Sequence, residues 1–205
     1  MKKIKRLFAH KIFKILKWAF LILLGLYIIL VIARVFHFFN TDKNNAAIEK
    51  IHSMKVTMAD VKGDNLPPNP GIYADKTVQG VDANHNGIRD DVELAIFKAY
   101  PNSAKTRAAL LQYAMTLQME TEFPHINEQI ATTLAEKQSQ AYDCTGKTVP
   151  MGDYDMDKIM ALLNFVKSKQ LNTTARKDLK TKFDNETRSF ELQYGCDVNL
   201  DLLKN

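Results

Sequence analysis

Residues 81–93 read VDANHNGIRDDVE, and this stretch marks the point where an irregular part of the chain becomes helical. Asp82, Asn84 and Asn86 carry oxygen-bearing side chains at alternate positions, and Gly87 follows directly. Such a short polar run cannot pack a core, and it is typical of a turn or of a metal-binding loop. Two interpretations therefore stand: a turn that leads into a capped helix, and a cation site.

Counted from Asp82, the stretch matches the calcium-loop spacing D-x-[DN]-x-[DN]-G-x5-E. A hard cation that takes roughly six to eight oxygens requires the chain to curl round it, with alternate side chains pointing inward. Gly87 allows the sharp turn, and His85 is expected to point to solvent. The predicted Ca²⁺ ligands are Asp82, Asn84, Asn86, the main-chain oxygen of Ile88, Asp90 (directly or through water), and Glu93 with both carboxylate oxygens.

The alternative explains the end of the stretch without a metal. Asp90 can cap a helix, and Glu93, three residues later, can complete a capping box. That interpretation gives no role to Asp82 or Asn84, and the full pattern arises by chance in about one protein of this length in a few thousand. The spacing therefore favours calcium.

After the loop, apolar residues repeat at helical spacing and predict an all-α fold. One helix begins near Asp90 and breaks at Pro101. Ser103 caps the next, which is apolar nearly all round and is expected to be the central, most buried helix. A third is expected to have Pro124 in its first turn, a fourth carries the Met156–Ile159–Leu163 stripe, and a fifth runs from about Thr173.

Before the loop, the chain changes character twice. Residues 63–80 are rich in proline and glycine and are expected to be irregular, whereas residues 40–62 predict a single helical stalk. Residues 18–39 are apolar except for Arg34 and His37, and as a helix they would rise about 33 Å, enough to cross a hydrocarbon layer of about 30 Å. They predict a transmembrane signal-anchor.

The charges on either side of this segment predict its orientation. Residues 1–39 hold eight of the 28 Lys and Arg side chains and no Asp or Glu, so residues 40–205 have 20 basic against 23 acidic side chains. The positive-inside rule places residues 1–17 in the cytoplasm and the folded part across the membrane. The acidic balance of that folded part argues against nucleic-acid binding. A signal peptide cleaved near Ala33 is the alternative to an anchor.

Cys144 and Cys196 are the two cysteines, and both fall on the predicted exported side. An even pair in an oxidising compartment is expected to form a disulfide, and two buried free thiols are the alternative. Gly195, just before the second cysteine, is expected to end the last helix. One bridge would then tie the ends of two helices.

The stretch GVDANHNGIRDDVE, preceded by LPPNPG, resembles a group of uncharacterised membrane-anchored envelope proteins of Gram-negative bacteria. These carry a single EF-hand-like or thrombospondin-type-3-like calcium loop before a helical domain. The resemblance implies a single-pass inner-membrane protein with its domain in the periplasm and Ca²⁺ as ligand; it implies no activity. No helix enters the loop and no second loop pairs with it, so a structural clamp is expected.

No motif of a common catalytic site occurs in the sequence. The expected function is therefore binding or scaffolding in the cell envelope, with the lipid bilayer and an envelope protein as partners. An envelope enzyme whose site is assembled from distant residues is one alternative. A calcium-responsive switch is another.

Overall fold

The computed structural model describes residues 2–123, 127–149 and 155–204. The chain divides into two compact units, Met1–Ala46 and Ala47–Asn205. Within the described ranges the secondary structure is helical, with seven α-helices and two short 3₁₀ turns. The predicted all-α class is confirmed. The predicted position of Pro124 in a first helical turn lies outside the described residues.

The first helix, α1, spans Lys2–Ser53. Its part from Phe13 onward is long and apolar enough to cross a membrane, and none of its apolar window is buried. Side chains such as Leu26 and Ile29 are 59% and 65% exposed. An all-round apolar helix left in water is unfavourable by about 25 cal/mol for each Å² of apolar surface, so its composition suits a hydrocarbon environment.

The predicted single stalk helix over residues 40–62 is wrong, because the helix breaks at residue 54. A second helix, α2, spans Met58–Lys62 and begins with a capping box between Thr57 and Asp60. The capping box satisfies the amides of a new helix start, and Gly63 ends α2 in a left-handed conformation. Ile51, at the end of α1, is fully buried in the core of the second unit.

Five helices make up the rest of the second unit, as predicted for residues 63–205. Their bounds are α3, Asp90–Ala99; α4, Ala104–Glu122; α5, Glu128–Gly146; α6, Met156–Gln170; and α7, Thr174–Glu186. Side chains of Ser103, Asn127, Asp155 and Thr173 cap α4 to α7. The predicted starts near Ser103 and Thr173 are confirmed.

Helix α4 is the centre of the second unit. Every residue from Ala108 to Thr121 is buried, and α3, α5, α6 and α7 all pack against it. Apolar residues such as Leu110 and Leu117 fill this core. The prediction that this helix is the most buried is confirmed, although it also buries polar side chains: Gln112, Thr116, Gln118 and Glu120.

The last helix ends earlier than predicted. Helix α7 stops at Glu186, nine residues before Gly195. The residues between them form neither helix nor strand, begin with Thr187 in an extended conformation, and are called the extended segment here. Two side chains of α5 accept main-chain bonds from this extended segment: Ser139 from Gln193 N–H and Asp143 from Gly195 N–H. These bonds replace the helical ones, so the segment lies along α5 instead of continuing the helix.

The predicted disulfide is present. Cys144 in α5 and Cys196 are joined, with a sequence separation of 52 residues. Closing a loop of that size contributes about 4 kcal/mol in the chain-entropy model. The bridge ties α5 to the end of the extended segment rather than to a helix end.

Glu120 in α4 is a buried acid that the sequence analysis did not single out. It accepts a hydrogen bond from Gln138 in α5 and lies 3.4 Å from the ammonium group of Lys180 in α7. Burial, which disfavours the charged form, raises the pKa of Glu120 to about 7 despite the neighbouring lysine. Three helices therefore meet at one carboxyl group.

The variant Glu120→Gln should show a weaker loss of stability at high pH than the wild type. In the folded protein Glu120 binds its proton below about pH 7, but when unfolded only below about 4.5. The folded state therefore binds the proton more tightly, and the free energy of unfolding falls as the pH rises between these values. In urea unfolding at several pH values, the free energy of unfolding should fall by about 3 kcal/mol less in the variant than in the wild type. Parallel pH curves for the two proteins would contradict this.

Candidate metal centre

Residues 64–89 connect α2 to α3 almost without helical structure, and a buried arginine holds their first half. The Arg176 guanidinium, on α7, donates to the carbonyl oxygens of Ala74, Thr77 and Val78 at 2.8–3.1 Å. It also pairs with Asp75, and this contact holds the pKa of that carboxyl below its usual value. Arg176 is 1% exposed, so these bonds replace the water that the irregular backbone would otherwise need.

A second buried arginine fixes the other end of this segment. Arg89, fully buried, donates to the carbonyl oxygens of Lys169 and Gln170 at the end of α6 and pairs with Asp91. A positive charge at a helix C-terminus is favourable, because the last carbonyls have no helical partner. Gly80 lies directly against the Arg89 side chain, where any Cβ would collide with it. Both ends of residues 81–89 are therefore anchored.

The loop itself is curled by its own side chains. Asp82 accepts main-chain bonds from Asn86 at 3.2 Å and from Gly87 at 2.9 Å, and Asn86 Oδ1 accepts from Ile88 N–H at 2.9 Å. His85 and Gly87 both adopt left-handed φ values, 57° and 81°. The alternation of inward side chains and tight turns is the arrangement that the sequence spacing predicts.

Glu93 reaches back from α3 into this loop, as predicted. Its two carboxylate oxygens accept from the side-chain amides of Asn84 and Asn86, each at 3.1 Å. His85 is exposed, and Glu93 is 1% exposed. The structure thus brings five predicted ligand side chains together: Asp82, Asn84, Asn86, Asp90 and Glu93. Ile88 packs into the core beside them, and ligation by its carbonyl oxygen stays a prediction.

Asp90 does not cap the helix, so the capping-box alternative is wrong. The N-cap residue of α3 is Arg89, without a side-chain cap bond, and Asp90 is the first helical residue. Asp90 Oδ1 instead accepts from Ala83 N–H within the loop, at 3.0 Å. Asp90 N–H donates to the carbonyl of Val81 at 2.9 Å and closes the loop.

The second carboxylate oxygen of Asp90 is buried and has no hydrogen-bond partner among the described residues. Burying a carboxylate oxygen without a partner costs about 1–3 kcal/mol or more. Asp90 is fully buried, and burial raises its pKa, as do the charges of Asp82 and Asp91. A cation would supply the compensation that this oxygen lacks.

Burial also raises the pKa of Glu93, to about 7, and the charges of Asp60 and Asp90 act in the same direction. The bonds from Asn84 and Asn86 oppose this shift but do not cancel it. The centre therefore concentrates carboxylates in a place poor in solvent. That combination favours a hard cation, which neutralises several oxygens at once.

His, Cys, Asp and Glu side chains alone do not form a metal cluster of three or more in the described ranges. A cation at this loop would therefore depend on the amide oxygens of Asn84 and Asn86 and on main-chain oxygen as well. Calcium accepts such mixed oxygen shells, because its coordination is flexible in number and geometry.

Three residues of this centre were missed by the sequence analysis. Asp60 was missed because it falls inside the single stalk helix predicted over residues 40–62, well before the loop. Its contact with Asn86 joins residues 26 positions apart. Arg89 and Arg176 look like ordinary surface arginines in sequence. The one signal in the sequence was the irregular segment itself. Its carbonyl groups have no helical or sheet partners, so their hydrogen-bond donors must come from other parts of the chain.

No known protein family, curated protein or solved structure matches this chain. The resemblance to membrane-anchored envelope proteins with one calcium loop therefore stays a prediction.

A second feature is an apolar groove of about 770 Å³ between α5, α6 and the extended segment. Aromatic and methionine side chains line much of it: Tyr113, Tyr142, Met156, Met160 and Tyr194. The ion pair between Asp143 and Lys147, at 2.6 Å, lies at its edge. Concave, mostly apolar surfaces of this kind are where proteins bind other molecules.

Replacing the buried guanidinium of Arg176 should destabilise the fold strongly. In Arg176→Met the carbonyls of Ala74, Thr77 and Val78 lose their donor, which should lower the free energy of unfolding by about 3 kcal/mol or more. Arg188→Met is the matched control, because Arg188 is largely exposed and should change stability by less than about 0.5 kcal/mol. Equal urea midpoints for the two variants would show that Arg176 does not hold the segment.

Proposed function

We propose that this protein is a membrane-anchored calcium-binding protein of the bacterial envelope, in which the ion clamps the entry to a helical binding domain. The observation that carries the proposal is the buried Asp90 oxygen that lacks a hydrogen-bond partner among the described residues, in a loop whose other predicted ligand side chains are already linked to one another. A turn alone would leave that buried oxygen uncompensated. The ion's role is to neutralise buried carboxylates and so to stabilise the loop.

The groove supports a binding or scaffolding role for the domain. Its apolar lining lies beside the extended segment, where Leu192 and Tyr194 are 57% and 70% exposed. Exposed apolar residues that line one concave surface are typical of a site for another molecule. An envelope protein is the partner we propose.

The membrane location rests on α1 and on the charge asymmetry around it. Residues 1–39 hold eight basic and no acidic side chains, which favours a cytoplasmic start and a domain on the far side of the inner membrane. A disulfide between Cys144 and Cys196 agrees with an oxidising compartment. The proposed arrangement is one span, with the second unit in the periplasm.

Calcium should raise the melting temperature of the full chain in detergent. The loop has three predicted carboxylate ligands, Asp82, Asp90 and Glu93, which suits a dissociation constant of roughly 0.1–1 mM, as in extracellular modules. At about 2 mM calcium, the tight end of that range adds about 2 kcal/mol of stability and about 5 °C in melting temperature. Magnesium should do less, because it demands a strict octahedron.

Glu93→Gln should abolish the calcium-induced shift, since it removes the bidentate ligand. Glu191→Gln, which alters an exposed glutamate of the extended segment, should keep it. Equal melting temperatures with calcium and with chelator in the wild type would refute the calcium site. A shift that survives in Glu93→Gln would place the ion elsewhere.

A reporter enzyme fused behind the last residue tests the orientation. A reporter that is active only after export should be active, and the fusion should stay in the membrane fraction. A reporter that is active only before export, fused at the same place, should be inactive. A soluble product without the first thirty or so residues would indicate a cleaved signal peptide instead.

A further inference from the structure

The carboxylate of Asp60 approaches the loop from a separate part of the chain. Asp60 lies in α2, and its Oδ1 is 3.4 Å from the side-chain nitrogen of Asn86. The same nitrogen donates to Glu93 Oε1 at 3.1 Å. Asp60 and Glu93 therefore lie on either side of one predicted ligand, although they are far apart in sequence.

The orientation of Asp60 is fixed by its capping role. Its Oδ2 accepts from the main-chain nitrogen of Thr57 at 2.8 Å and from the Thr57 hydroxyl at 2.6 Å. These two bonds use one carboxylate oxygen and leave the other directed at Asn86. The cap thus presents a carboxylate oxygen to the loop without further ordering of the side chain.

A second observation points to a cation at this place. Asp90 is fully buried, and its Oδ2 lacks a hydrogen-bond partner among the described residues. Its Oδ1 is held inside the loop by Ala83, so the unpartnered oxygen belongs to the same centre. The charged groups that act on Glu93 are the carboxylates of Asp60 and Asp90.

Two basic side chains lie in the loop, and of these only His85 acts on Asp90. The Arg89 guanidinium is bound to Asp91 and to the end of α6, and His85 is exposed. Four carboxylates bind within this region: Asp60 and Glu93 accept from the Asn86 side chain, Asp82 from the Asn86 main chain, and Asp90 from Ala83. A divalent cation is the chemical species that can neutralise this set.

We propose that Asp60 binds the same calcium ion as the loop, so that the site is built from two separate segments and the ion joins α2 to α3. This inference rests on the proposed function, because it requires calcium at residues 82–93. It adds a fourth carboxylate ligand to the three predicted in the loop. It also makes the ion a link between the loop and the helix that directly follows α1.

Calcium titration of the full chain in detergent, by calorimetry, tests this link. Asp60→Asn should weaken calcium binding roughly tenfold, because affinity depends on the number of charged ligands and their support. Thr57→Val removes the hydroxyl that orients Asp60 but keeps the carboxylate, and it should weaken binding by less than about threefold. Asp178→Asn, an exposed carboxylate of α7, should leave the affinity unchanged.

Hydrogen exchange of the wild type gives a readout that does not depend on a variant. Calcium should slow amide exchange in residues 58–62 as well as in residues 82–93, because the ion holds both segments. In Asp60→Asn, calcium should protect the loop alone. Protection confined to the loop in the wild type would overturn the inference even if Asp60→Asn failed to fold.

The outcomes separate the two proposals. No calcium binding by the wild type would refute the calcium site and, with it, the role of Asp60. Binding by the wild type with an unchanged affinity in Asp60→Asn would overturn the role of Asp60 alone. Equal weakening in Asp60→Asn and Thr57→Val would show that Asp60 acts through the cap of α2 and would also overturn it.

Discussion

The guanidinium of Arg176 satisfies the main-chain carbonyls of a segment that has neither helix nor strand to do so. Buried carbonyls without donors are costly, and residues 64–89 would present many of them. By binding three carbonyls at once, Arg176 lets this irregular chain pack against α7. The position of everything that follows, from Gly80 to the start of α3, depends on that attachment.

The proposed metal centre depends on the same constraint. A loop held at one end by Arg176 and at the other by Arg89 cannot relax away when its carboxylates repel one another. Burial, with the nearby carboxylates adding to it, therefore keeps the pKa of Asp90 and of Glu93 raised in the folded protein. In the calcium proposal, this fixed frame holds uncompensated oxygens in place for a cation.

The sequence could predict most of the helices, because their caps and apolar stripes are local signals. It located α3 to α7, the central position of α4 and the disulfide. The prediction failed in two places where long-range contacts determine the structure. One is the break before α2, next to Ile51, which is buried in the core. The other is the end of α7, because side chains of α5 bind the main chain of residues 193 and 195.

For the candidate site, too, the sequence revealed the local signals and missed the long-range contacts. The spacing of residues 82–93 is a local pattern, and it located five side chains that the structure brings together. Asp60, Arg89 and Arg176 reach the centre through contacts between distant segments, which one sequence does not display. The sequence allowed two roles for Asp90, as the N-cap of α3 or as a side chain of the loop. Its hydrogen bond from Ala83 N–H shows that it belongs to the loop.

The residues that follow α1 are bound by side chains from much later in the chain. The amide of Val56 donates to Asp197, 141 residues later, and the carbonyl of Met54 accepts from Lys137, 83 residues later. During synthesis the ribosome makes residues 54 and 56 long before residue 197. The second unit therefore cannot form these contacts until residue 197 has been made, so its folding waits for a late segment of the chain. A chaperone that shields the early helices in that interval would act before any of the contacts described above exist.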